Sequence, residues 1–152
     1  MEMDWGKETP QGIEVYPEGT YKVRIDDYQK KTASTGTPQL MWRARIIEPV
    51  ELEGKTILEY TALTEKSLWK LAWLVSACGV AVEKLGKMEV GSTAFNQVLE
   101  ACKGRTVYFH VIVGTSNQGK QRNEIDDFKK DTEQEPIEFS KTDDVPEFLR
   151  EE

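Results

Sequence analysis

The sequence predicts a mainly β fold: an OB-fold-like five-stranded barrel with a helix insertion between strands 3 and 4 and a disordered acidic C-terminal tail. Three observations lead there. Apolar residues recur with period two in three runs before residue 64 and in two runs after residue 104. Between these runs the period lengthens to that of an amphipathic helix. From residue 131 onward, acidic residues and prolines replace any sustained pattern. A length of 152 residues suits one domain with extensions. The division is an N-terminal extension 1–15, an OB-fold domain 16–130 and the tail 131–152.

Tyr16-Pro17-Glu18-Gly19 reads as a turn leading into strand 1. There Tyr21, Val23 and Ile25 share one face while Lys22, Arg24 and Asp26 share the other, with the strand running on through Tyr28 to Lys31. The small polar stretch Thr32–Thr37 precedes strand 2, where Leu40, Trp42, Ala44 and Ile46 alternate with Met41, Arg43, Arg45 and Ile47. The arginines are therefore expected outward. After the Glu53-Gly54 turn, Thr56–Leu63 is rich in β-branched and aromatic residues and forms strand 3. Its faces, Ile57/Glu59/Thr61/Leu63 and Leu58/Tyr60/Ala62, are both partly apolar, which leaves its orientation open.

At Thr64 the period changes. Leu68, Leu71, Ala72 and Val75 make a helical stripe, with Trp69 and Trp73 beside it, Thr64 as N-cap and Gly79 as stop. A second helix starts near Ser92 and uses Phe95, Val98, Leu99 and Cys102. Trp42, Trp69 and Trp73 are assigned to the core, because large aromatics in periodic apolar runs usually build it. Arg105–Val113 has two apolar faces and is a central strand 4. A glycine-bounded hairpin, Gly114–Lys120, leads to strand 5 at Arg122–Phe128 and contains no Walker pattern.

The formal net charge is −7, which argues against a polyanion as partner until it is resolved along the chain. Nine acidic and two basic residues lie between Asp131 and Glu152, so this segment holds the whole excess. Residues 19–130 carry a net charge of +4. The object is a mildly basic body with an acidic appendage. The two cysteines, Cys78 and Cys102, match no zinc or redox spacing, and the single histidine, His110, leaves His-based metal sites and catalytic triads without parts. No cofactor, metal or catalytic residue is expected. The acidic N-terminus and the lack of a bilayer-length apolar run predict a cytoplasmic protein.

Binding a single nucleic-acid strand needs cations that track phosphates and flat rings on which bases stack. The candidates are Lys22, Arg24, Tyr28, Lys30 and Lys31 on strand 1 and its loop, Arg43 and Arg45 on strand 2, and Tyr60 on strand 3. Arg105 and Tyr108 on strand 4 and Lys120 and Arg122 at the last hairpin complete the set. Each alone also reads as an ordinary solvated side chain, so the set carries the argument. In OB-folds, strands 2 and 3 with loops 1-2 and 4-5 commonly bind oligonucleotides. The main rival is a metal-dependent nuclease built on Glu124 and Asp126, which lacks a third ligand; another is an interaction adaptor without DNA binding.

The string Tyr16-Pro-Glu-Gly-Thr-Tyr21, the Gly36-x-Pro38 loop, TEKSLWKLAWLVSACG at Thr64–Gly79, Gly104-Arg105 and Arg122-Asn123-Glu124-Ile125 together resemble a bacteriophage family. That family is catalogued largely as a domain of unknown function, is encoded near phage recombination genes and is regarded as single-stranded DNA-binding. The resemblance spans roughly residues 13–130 and implies a role in phage replication or recombination inside the bacterial host cell. Within the tail, Asp143, Asp144, Val145, Pro146, Phe148 and Leu149 are the candidate partner-binding residues. Asp143–Phe148 is similar to the acidic, Pro-Phe-containing tip of bacterial single-stranded DNA-binding proteins, which docks replication and repair enzymes. It departs by placing Glu147 between Pro146 and Phe148 and by continuing to Glu152. The implied partners are single-stranded DNA and recombination or replication proteins, and homo-oligomerisation is left open.

Overall fold

The computed structural model describes residue 2, residues 15–115, residue 119 and residues 121–137. The strands are β1 (Gly19–Thr32), β2 (Pro38–Glu48), β3 (Thr56–Ala62), β4 (Thr106–Thr115) and β5 (Gln121–Lys130). Helices α1 (Leu68–Ala77) and α2 (Thr93–Ala101) lie between β3 and β4. All strand pairs are antiparallel, in the spatial order β3-β2-β1-β4-β5. This is the predicted mainly β, OB-like arrangement, with one difference: the sheet is open, and β3 and β5 are its two edges.

The alternation read from the sequence sets the inner face. Val23, Ile25, Leu40, Trp42, Ala44, Ile46, Val107, Phe109 and Val111 all point into one core. The orientation left open for β3 is settled by burial of Ile57, Glu59 and Thr61, which turns Leu58 and Tyr60 outward. Thr61 gives the buried Trp42 indole its acceptor, Nε1 to Oγ1 at 3.0 Å.

Bulges interrupt the two-residue period and change which residues face out. Register shifts between Ile25 and Asp27 on β1 and between His110 and Val111 on β4 leave Asp26 and Asp126 as extra residues. Beyond Asp26 the faces of β1 exchange. Tyr28 pairs with Trp42 and so points inward, where alternation alone puts it outward beside Lys22 and Arg24.

The helix over residues 64–79 differs from the expectation in start and in facing. A turn from Thr64 precedes α1, with Ser67 rather than Thr64 at the N-cap and no side-chain cap bond. The buried stripe is Leu71, Leu74, Val75 and Cys78. Two overlapping stripes of helical spacing are present in this segment, and the one with more apolar volume is buried. Trp69 is thereby turned away from the core to 62% exposure, contrary to its assignment there. Helix α2 follows the expected pattern, with Ser92 Oγ accepting from Phe95 N at 3.2 Å and Phe95, Val98 and Leu99 buried.

The sequence reading starts the tail at Asp131, yet residues 131–137 belong to the folded body. Asp131 is buried, accepts from Thr106 Oγ1 and bonds the backbone N of Glu133, while Gln134 caps Thr106. Ile137 N donates to Gly79 O at 2.9 Å, and Ile137 forms a parallel bridge with Val80. Residues 138–152 lie outside the described residues, and with them the candidates Asp143, Asp144, Val145, Pro146, Phe148 and Leu149. Among the described residues, no helix is long and apolar enough to cross a membrane.

Candidate nucleic-acid interface

Paired residues on neighbouring antiparallel strands share a face, so the register fixes the outer surface of β1–β3 row by row. Arg24 pairs with Arg45, which pairs with Thr56. Asp27, Arg43 and Leu58 form the next row, and Gln29, Met41 and Tyr60 the one after. Lys31 and Gln39 close the series at the β1–β2 hairpin. Leu58 and Tyr60 are 41% and 44% exposed, and Met41 is buried on this outer side without joining the core cluster. Cations, a tyrosine ring and an apolar floor therefore lie within three adjacent rows, the composition a stacked strand requires.

Both central arginines have carboxylate neighbours. Arg45 is 3.3 Å from Asp26 and Arg43 is 3.5 Å from Asp27. These side chains are about half exposed or a quarter exposed at Asp26, a setting in which ion pairs are weak and a phosphate can compete. The Asp26 bulge places both acids against the arginines and so sets where the guanidinium groups rest. Arg24 has no ion pair among the described residues.

Other candidates are distributed elsewhere. Lys22 lies 3.7 Å from Asp131 and 3.8 Å from Glu133, and Asp131 is first among the charges that raise its pKa. Tyr108 pairs with Lys22 on one side and Lys129 on the other, forming a separate outward row on β1, β4 and β5. Lys30 reaches toward Gly91 and, with Lys31, borders a small cavity of about 340 Å³. Arg122 is 3.0 Å from Glu124 near the β4–β5 hairpin. Lys120 lies outside the described residues.

Tyr28 and Arg105 are not brought to the outer face. The Tyr28 ring packs on Trp42 at 5.4 Å, and its hydroxyl donates to Glu100 at 2.7 Å. Burial and that carboxylate push its pKa up to about 12. Arg105 Nε donates to Cys78 O at 2.9 Å and its terminal nitrogen to Glu135 O, so the side chain ties the end of α1 to residues 131–137. The sequence offered no sign of either role: the first depends on a bulge, the second on a contact 30 residues away.

The open edge of the sheet forms a second concavity. Thr56–Tyr60 of β3, Arg122–Asp126 of β5, Tyr16 and Lys70 border a groove of about 810 Å³. Tyr16 crosses its end: its N donates to Asn123 Oδ1, its O accepts from Asn123 Nδ2, and its hydroxyl donates to Thr56 O. Glu59 faces this groove, 3.2 Å from Lys70, and burial raises its pKa against the opposing pull of that lysine. Glu124 is bound to Arg122, and Asp126 Oδ1 is 2.6 Å from His110 Nδ1. Among the described residues no three His, Cys, Asp or Glu side chains are gathered in a metal-holding group.

Trp69 is the candidate that sequence reasoning missed. Its ring stacks on Trp73 at 6.0 Å and 21°, Trp73 meets Phe128 edge-on at 4.9 Å, and Phe128 meets Phe109 at 5.4 Å. An aromatic series thus runs from the core to an exposed indole beside Lys70. The signal available in the sequence was the second stripe at Leu71, Leu74, Val75 and Cys78, which excludes Trp69.

Comparison with curated proteins gives no match. A family model described as "Protein of unknown function (DUF669)" matches residues 4–137, which is nearly all of the described body and ends where Ile137 meets Val80. The chain therefore belongs to this uncharacterised, phage-type family.

Proposed function

We propose that the protein binds single-stranded DNA on the outer face of β1–β3, as part of phage replication or recombination, and recruits other proteins through its acidic tail. The observation that supports this most is the three-row surface in which Arg24, Arg43 and Arg45 adjoin Met41, Leu58 and Tyr60. Arginines follow the phosphates and Tyr60 offers a π-face; stacking on such rings contributes about 1–3 kcal/mol per base. Stacking and phosphate contacts of this kind are sequence-tolerant.

The test is a titration of short labelled single and double strands at two salt concentrations. Single strands are expected to bind more tightly, with affinity falling as salt rises. Arg43→Ala with Arg45→Ala should reduce the slope of that fall. Among the described tryptophans only Trp69 is exposed, so part of the quenching of tryptophan fluorescence by DNA is expected to come from Trp69 and to be lost in Trp69→Phe. Equal affinity for duplex, or cleavage on adding divalent ions, would overturn the reading.

A further inference from the structure

Helices α1 and α2 do not close on each other. Leu68, Leu71, Ala72 and Val75 of α1, Phe95, Val98 and Leu99 of α2, and the connecting residues Val82–Val90 surround an open apolar groove of about 680 Å³. Its size is that of a site for a small ligand or a few side chains. The rim carries Lys87 and Glu89, opposite in sign, so charge does not select the occupant and apolar contact does.

The described chain ends beside this groove. Ile137 and Val80 form a parallel bridge at the end of this described stretch. Val82, two residues on, already lines the groove. Val145 lies eight positions after Ile137, a reach of up to about 26 Å. Helix α1, with 10 residues, is only about 15 Å long, so the whole groove is within range. The segment then presents Val145, Pro146, Phe148 and Leu149 within five positions, the most apolar stretch after Ile137.

We infer that the groove between α1 and α2 is the seat of this chain's own Val145–Leu149 segment. The tether supplies an effective concentration in the millimolar range, so a weak apolar contact suffices to fill the site. A partner that captures the same residues must first draw them out, which makes recruitment a competition between two apolar surfaces. The inference does not depend on DNA binding.

The test uses the full chain with photoreactive p-benzoylphenylalanine in place of Phe148, irradiated without DNA and mapped by mass spectrometry. Crosslinks are expected within one molecule, to residues 68–75, 82–90 or 95–99. Their yield should persist in about 1 M salt, where attraction between charges is screened beyond about 3 Å. Ala72→Glu changes an exposed groove residue without touching the core and should lower the yield severalfold, with circular dichroism unchanged. Crosslinks to the outer face of β1–β3, crosslinks between two molecules, or an undiminished yield in Ala72→Glu would each overturn the inference.

Discussion

Tyr28 shows how one inserted residue decides a side chain's use. Because Asp26 is bulged, Tyr28 lies against Trp42 and donates to Glu100 rather than facing solvent. Its ionisation is pushed from 10.0 up to about 12 by burial first and by the Glu100 carboxylate second. A tyrosine raised in the folded state contributes stability that is fully present below pH 10 and is lost as pH rises through about 12. Tyr28→Phe is therefore expected to unfold at lower urea concentration than the wild type at pH 8, with the gap closing above pH 11. Glu59 gives the opposite sense at neutral pH. Its carboxyl is raised above 4.5, mainly by burial, so the ionised form strains the fold wherever pH exceeds the folded-state value. Below pH 4.5 the penalty is absent. Glu59→Gln keeps an acceptor for Tyr60 N and is expected to be the more stable protein at pH 7, the advantage vanishing by pH 4. Chemical denaturation at the two pH values measures it, and a loss at pH 7 would show that Lys70 outweighs burial.

At the scale of elements, the end of α1 joins three parts of the chain. Gly79 has φ +107°, a conformation that disfavours any side chain, and a Cβ there would stand 2.7 Å from the Arg105 guanidinium. That guanidinium holds Cys78 O and Glu135 O, and Gly79 O receives Ile137 N. Gly79→Ala should cost about 1–3 kcal/mol and free residues 131–137, so limited proteolysis is expected to cut after Lys129 or Lys130 before the body unfolds. Gly79 was legible in the sequence as a helix stop, because glycine after an apolar stripe is a local signal. Its second role was not, since the partners come from Arg105 and Ile137, far along the chain. The same contrast holds for the strands. Local alternation places Val23, Ile25, Leu40, Trp42 and Ala44 inward correctly. It fails at Tyr28, where a bulge shifts the phase, and in α1, where two stripes overlap and only packing chooses between them.

At the scale of the whole molecule, charge is less cleanly partitioned than the sequence suggests. Asp131 and Glu133, counted with the acidic tail, are fixed beside Lys22 and remove it from the free cations of the sheet. The carboxyl of Asp131 is held below its usual range by Thr106 first, then by Glu133 N and Lys22, so it stays ionised into mild acid. Arg24, Arg43 and Arg45 remain on the outer face of β1–β3, the part of the candidate site that strand order and arginine alternation made legible. Residues 138–152 retain six acidic groups against two basic ones. Removing them should tighten single-strand binding at low salt and leave it unchanged at high salt, where long-range attraction is screened. A fluorescence titration of the full chain and of a chain ending at Ile137 provides the comparison, with circular dichroism establishing that the shorter chain is folded. Equal affinities at low salt would exclude the acidic segment as a competitor.

Tyr16 gives this open sheet a clasp. Two bonds hold it to Asn123 on one edge and a third to Thr56 on the other, across a span where no strand pairs with strand. Among the described residues no other hydrogen bond joins β3 to β5, so the two borders are able to spread or approach about a fixed point. The outer surface of β3 rides on one border. Its curvature is thus governed from a residue that reaches β3 only at the Thr56 carbonyl, and loosening the clasp, as in Tyr16→Phe, would alter how closely Arg43 and Tyr60 converge while leaving both side chains in place.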